Sequence, residues 1–289
     1  MPSCTIRKTI VLALTVVLSG CTNIFLQPDH AMYLDPDRVG AKWTLERFKS
    51  ADGTELTGLW FPSTKPEAKG VVVHFHGNGA NMTSHFLYVY WLALEGWDVF
   101  TFDYRGYGGS AGKKSVNGSV EDGAAALAYA RTKAPGLPIV VVGQSMGGAL
   151  ALASLDRDGG EGVRALVLDS TFSSLQRVAR AKLAPHWQTW PLQWLPYVLI
   201  SDRIAPQRVI VRRKAVPLLM LHAPGDPVVP YAEGRRLYER APEPKEFWDV
   251  PGSGHTEAFG LQGAEFRPRL LKFLDAALAG SSASGIIAK

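Results

Sequence analysis

Ile139-Val140-Val141-Val142-Gly143-Gln144-Ser145-Met146-Gly147-Gly148 is the stretch on which the reading of this chain turns. Four apolar β-formers lead into a glycine-flanked serine. A small-residue, helix-competent run, Gly148-Ala149-Leu150-Ala151-Leu152-Ala153, follows it. Strand, tight turn and helix, with serine at the turn, is the context of a G-x-S-x-G nucleophile elbow. The serine backbone there is strained, and only small residues fit two places before and after it. Ser145 is therefore the candidate nucleophile, its hydroxyl above the sheet edge and the helix N-terminus aimed at developing negative charge.

Outward from the elbow, strand-like runs alternate with helix-like ones. Trp43 to Lys49 and Glu55 to Phe61 flank the turn Ala51-Asp52-Gly53-Thr54 and read as a hairpin. Val71 to Phe75, Val99 to Phe102, Ala165 to Leu168, Val216 to Leu221 and Phe247 to Val250 read as further strands. Helical stretches separate them and close the chain at Ala264 to Leu278. The pattern predicts one α/β domain over 43–279, with a mostly parallel sheet of about eight strands and helices on both faces. Residues 172–214 break the alternation. They are too long for a crossover loop and too apolar for a disordered one, and we read them as a small helical cap. Trp187, Trp190, Trp194 and Tyr197 recur there near helical spacing, interrupted by prolines. They are expected either to pack on the core or to line an acyl cleft above Ser145.

A serine hydroxyl needs a base, and the base needs a carboxylate. In this context the chain order is Ser, then Asp or Glu, then His. Of seven histidines, His255 alone follows the last strand, on the glycine-containing segment 251–254, and is the expected base. His74 and His222 fall in strands or at their ends and read as core residues. His76 reads as a brace for the loop beside it, and His30 lies outside the domain. Asp226, after the strand ending at Leu221, is the expected acid; Asp169 is its rival at the end of the preceding strand. The oxyanion needs two fixed backbone donors. Met146 follows the nucleophile, and Asn78 lies in the glycine-rich loop after Phe75.

The chain resembles the α/β-hydrolases, and within them the serine-aminopeptidase-like branch with its lysophospholipase-like and monoacylglycerol-lipase-like members. The likeness rests on His76-Gly77-Asn78-Gly79, Asp103-Tyr104-Arg105-Gly106-Tyr107-Gly108, Gly143-Gln144-Ser145-Met146-Gly147-Gly148, Leu221-His222-Ala223-Pro224-Gly225-Asp226 and Gly254-His255, in the family's order. Pro224 and the pair Lys113-Lys114 are small departures. The resemblance implies an α/β-hydrolase fold, Ser145, Asp226 and His255 as the triad, and backbone donors at Asn78 and Met146. It implies hydrolysis of a small-molecule carboxylic ester through an acyl-enzyme, with no cofactor and no metal. Thioesters and amides would use the same residues, and a non-catalytic envelope role is the reading from another class.

The amino-terminal residues carry a separate message. Arg7-Lys8 and the apolar stretch Ile10 to Leu18 read as a signal peptide over 1–20, too short to span a bilayer. Leu18-Ser19-Gly20-Cys21 resembles the bacterial lipobox, which implies lipid on Cys21 and a membrane anchor. Thr22, where aspartate is absent, implies the outer membrane in a Gram-negative host. Residues 21–42 are expected to be a tether and 280–289 a flexible tail. Cys4 and Cys21 are the two cysteines, so the mature domain is expected to hold no disulfide. The formal charge is +5; without Arg7 and Lys8 it is +3, which argues against nucleic acid as a partner.

Overall fold

The computed structural model describes residues 23–284, Ser253 excepted. Residues 1–22, on which the expected signal peptide and lipidated Cys21 fall, and residues 285–289 of the expected tail lie outside the described residues.

Among the described residues eight strands form one sheet: β1 (Thr44–Lys49), β2 (Glu55–Phe61), β3 (Val71–Phe75), β4 (Asp98–Phe102), β5 (Ile139–Gln144), β6 (Val163–Asp169), β7 (Leu218–His222) and β8 (Lys245–Asp249). Their spatial order is β1-β2-β4-β3-β5-β6-β7-β8. The β1–β2 hairpin and the β2–β4 pair are antiparallel, and every pair from β4 to β8 is parallel. This is the mostly parallel sheet expected from the alternating pattern, and the α/β-hydrolase fold that the resemblance implies.

The period of two in a strand sends neighbouring side chains to opposite faces. In β5, Ile139 and Val141 join one core while Val140 and Val142 join the other. In β7 the same division separates Leu218 and Met220 from Leu219 and Leu221. Both faces are thus covered, which is why these strands read as unbroken apolar runs. Each such buried Val or Leu side chain is worth about 1.5–3 kcal/mol. The parallel register aligns the carboxyl ends. Phe75 pairs with Gly143, Gln144 with Asp169, and Asp169 with Leu221. The loops after β3, β5, β6 and β7 therefore open on one edge, where sites in such sheets form.

Residues 172–214 contain short helical pieces: Leu175–Leu183, Trp190–Leu192, Leu195–Leu199, Pro206–Val209 and Ile210–Arg212. Pro191, Pro196 and Pro206 each sit in the first turn of a piece, where the missing N–H costs nothing. Neither expectation for the aromatics holds. Trp187, Trp190 and Trp194 are 81%, 64% and 58% exposed, and Tyr197 is exposed with them. They pack neither on the core nor into the cleft at Ser145.

The stretch expected to be a tether is docked along its described length. Leu26 is fully buried in the core. The Asn78 side chain donates to the Phe25 carbonyl and accepts from the Gln27 N–H. An irregular, proline-containing sequence gave no period to reveal this. The closing helix runs Gly263–Ser284, past Leu278, where the apolar pattern ends, and into the expected tail.

Candidate active site

Ser145 joins β5 to the helix Met146–Asp158 with φ 52° and ψ −117°. That region is costly for a residue with a side chain, and it persists where the surroundings enforce it. Here the neighbours leave no alternative. A Cβ on Gly143 would stand 2.5 Å from the Gly148 Cα, and one on Gly147 would stand 2.1 Å from the Phe75 carbonyl oxygen. The Ser145 N–H donates to the Asp169 carbonyl at 2.8 Å, fixing the turn to β6. The half-exposed serine sits at the helix N-terminus with the Met146 N–H in its first turn.

The loops after β7 and β8 bring Asp226 and His255 together. Nδ1 of His255 lies 2.7 Å from Oδ2 of Asp226. The other carboxylate oxygen accepts the N–H groups of Val228 and Val229 at 2.8 and 2.9 Å. Burial pushes this carboxyl upward. Hydrogen bonds from His222 and His255 and from the Val229 backbone outweigh it and hold the group below the usual carboxylate range. Ionised Asp226 can only accept, so the His255 proton is on Nδ1 and the Nε2 lone pair is free to take a proton.

Asp169 is engaged elsewhere. Its Oδ2 accepts from Tyr88 at 2.5 Å and its Oδ1 from Ser170 at 3.0 Å. Burial raises its carboxyl above the ordinary value. The hydrogen bonds of the rival carboxylate thus go to Tyr88 and Ser170, and the one to the His255 ring is made by Asp226. Ser170 also ties in the last loop, accepting from the Thr256 N–H at 3.3 Å.

His222, expected as a core histidine, ends β7. It is fully buried, but it does more than fill space. Its Nε2 lies 3.0 Å from the Val229 carbonyl and 3.4 Å from Asp226 Oδ2. It therefore braces the loop that carries the acid. The available signal was its place four residues before Asp226, at the end of the same strand. His74 is a core residue, held between Thr101 and Gln144. His76 is also buried; its Nδ1 donates to the Gly77 carbonyl at 2.8 Å, inside the loop that carries Asn78.

Asn78, Met146 and Ser145 line one cleft. Its walls are largely apolar, with Leu150, Phe172, Leu175, Val178 and Ile204 among them. Phe25 and Leu26 close one side, an amino-terminal contribution for which the sequence offers no signal. The carboxylate in this lining is Asp202, which accepts from Ser174 and Gln207. Among the described residues no group of three or more His, Cys, Asp or Glu is placed to hold a metal ion. No helix among them is long and apolar enough to cross a bilayer.

Comparison with known proteins agrees with this fold. The profile of the serine aminopeptidase S33 family matches residues 66–213. YfhR of Escherichia coli K12 is 34% identical over 266 residues, covering 89% of this chain and 88% of its own. The lysophosphatidylserine lipase ABHD12 of Macaca fascicularis is 28% identical over 242 residues, covering 80% of this chain and 59% of its own. Among solved structures, an esterase of Pyrococcus furiosus superposes with a TM-score of 0.71 at 21% identity, over 87% of this chain and 98% of that one.

Proposed function

This chain belongs to the serine aminopeptidase S33 family of α/β-hydrolases, and from that premise we propose a serine hydrolase of carboxylic esters that works through an acyl-enzyme. The observation that carries the reading is the 2.7 Å contact between His255 and Asp226, made from two loops that open on the same sheet edge as strained Ser145. Ser145 Oγ attacks the ester carbonyl carbon while His255 Nε2 takes its proton. Asp226 stabilises the imidazolium. The oxyanion is met by the N–H groups of Met146 and Asn78. The intermediate collapses, the alkoxide leaves with the proton from His255, and an acyl group stays on Ser145. Water, deprotonated by His255, repeats the cycle and releases the acid.

The apolar walls favour an acyl chain. A peptide's ammonium group would need an available carboxylate, and Asp202 is committed to Ser174 and Gln207. The likeness to the macaque lysophosphatidylserine lipase supports an ester of lipid type. We further propose that Cys21 carries lipid and holds the enzyme in the cell envelope, on the strength of Leu18-Ser19-Gly20-Cys21.

A fluorophosphonate probe tests the mechanism. It should label wild type at Ser145 and leave Ser145→Ala unlabelled, and the variant should lose on the order of 10³ or more in turnover of acyl esters. An unlabelled wild type, or an active Ser145→Ala, overturns the proposal.

A further inference from the structure

Residues 172–214 hold eight of the chain's 31 basic residues and one of its 26 acidic residues, Asp202. The rest of the chain is slightly acidic. Within this segment, 187–199 carry no charged side chain at all. Trp187, Trp190, Leu192, Trp194, Tyr197 and Val198 are all exposed there. The other tryptophans of the domain are buried or half-buried. Exposed Arg180 and Lys182 precede the aromatic run, and exposed Arg203 and Arg208 follow it.

We infer that this face of the cap docks on the surface of an anionic phospholipid bilayer. Three considerations select that occupant. Indole and phenol rings favour the bilayer interface, where one end is apolar and the other wet. Cations flanking an uncharged aromatic run match anionic headgroups. The prolines keep the pieces short, so the rings are displayed from a shallow surface and no bilayer-spanning helix forms. The face also backs onto the cleft. Leu175 and Val178 line the site at Ser145, and the aromatic run follows them in the same segment. The inference concerns binding and stands apart from the ester chemistry and from lipid on Cys21.

The test is amide hydrogen exchange on the full chain, alone, on phosphatidylcholine vesicles, and on vesicles of phosphatidylcholine mixed with phosphatidylglycerol. Exchange across 184–199 should slow on the mixed vesicles and much less on the neutral ones. Arg180→Gln should lower the preference for mixed over neutral vesicles about fivefold. Replacing Trp187, Trp190 and Trp194 together by serine should abolish the protection and leave the melting temperature unchanged. Free exchange rates on both vesicles overturn the inference, as does protection that survives the triple replacement. Protection that appears without vesicles and grows with protein concentration assigns the face to a second copy of the chain and overturns it as well.

Discussion

Asp226 grips His255 from a loop that is itself held on the far side: Oδ2 meets the imidazole while Oδ1 accepts two backbone N–H groups. The acid is thus oriented before any substrate arrives. Asp226→Asn keeps the shape but loses the charge that sets the tautomer. Turnover should fall by on the order of 10⁴, as where other triad carboxylates are replaced by amides. Asp169→Asn should cost far less turnover, because that carboxyl faces Tyr88 and Ser170. Steady-state kinetics on both variants decides the matter, and the opposite ranking would move the acid to β6.

The elbow and the sheet were legible because their signals are local. Four β-formers, a glycine-flanked serine and a small-residue helix dictate one turn, and parallel strands buried on both faces read as apolar runs. His255 and Asp226 were legible through chain order, although nothing local brings 29 residues of separation to 2.7 Å. The role of His222 was hidden, since a histidine in an apolar strand looks the same whether it fills a core or braces a loop. Leu26 was hidden for a different reason. One apolar side chain in an irregular segment has no period, and its burial depends on a groove built by residues far away. The cap aromatics misled because helical spacing promises a buried face, while the prolines break the pieces before any face can be buried.

Buried Asp103 should give the protein an unusual pH profile. His76 Nδ1 donates to the Gly77 carbonyl, so the neutral ring turns a lone pair on Nε2 toward Asp103 Oδ1, 3.6 Å away. A proton on Asp103 suits both groups. Burial pushes this carboxyl up to about 7, against the pull of N–H bonds from Met82 and Gly109. Its folded-state pKa lies above the ordinary value of about 3.9. The stability that comes from the neutral form is therefore fully present below about pH 4 and is lost as the pH rises through about 7. Asp103→Asn removes the titration. Urea midpoints measured across that range should fall with pH in wild type and lose most of this slope in the variant. An identical slope in both would assign the dependence to other groups.

Cys21→Ala should block lipid attachment and leave the precursor uncleaved. Labelling with an alkyne-tagged palmitate should mark wild type in membranes and give no signal for the variant. Mature wild-type protein without lipid, free in the culture medium, would count against the anchor.

Chain-length selection should rest on the inner wall of the cap and not on the tryptophans. Val178 and Leu175 line the cleft beside Ser145, whereas Trp190 and Trp194 stand in solvent. A larger side chain at position 178 has no core of its own to fill, because the helix Leu175–Leu183 contains no fully buried residue. Val178→Trp should therefore project into the cleft with little cost to folding. An acetyl group needs only the space at the elbow, and a medium-length chain must run along the wall. Turnover of medium-chain esters in solution should fall by about tenfold or more relative to acetate esters, since one or two lost apolar contacts are worth about 1–3 kcal/mol. Trp190→Ala should leave both rates close to wild type. Equal losses on both esters in Val178→Trp, with a lower melting temperature, would place Val178 in the fold's support and put the acyl chain elsewhere.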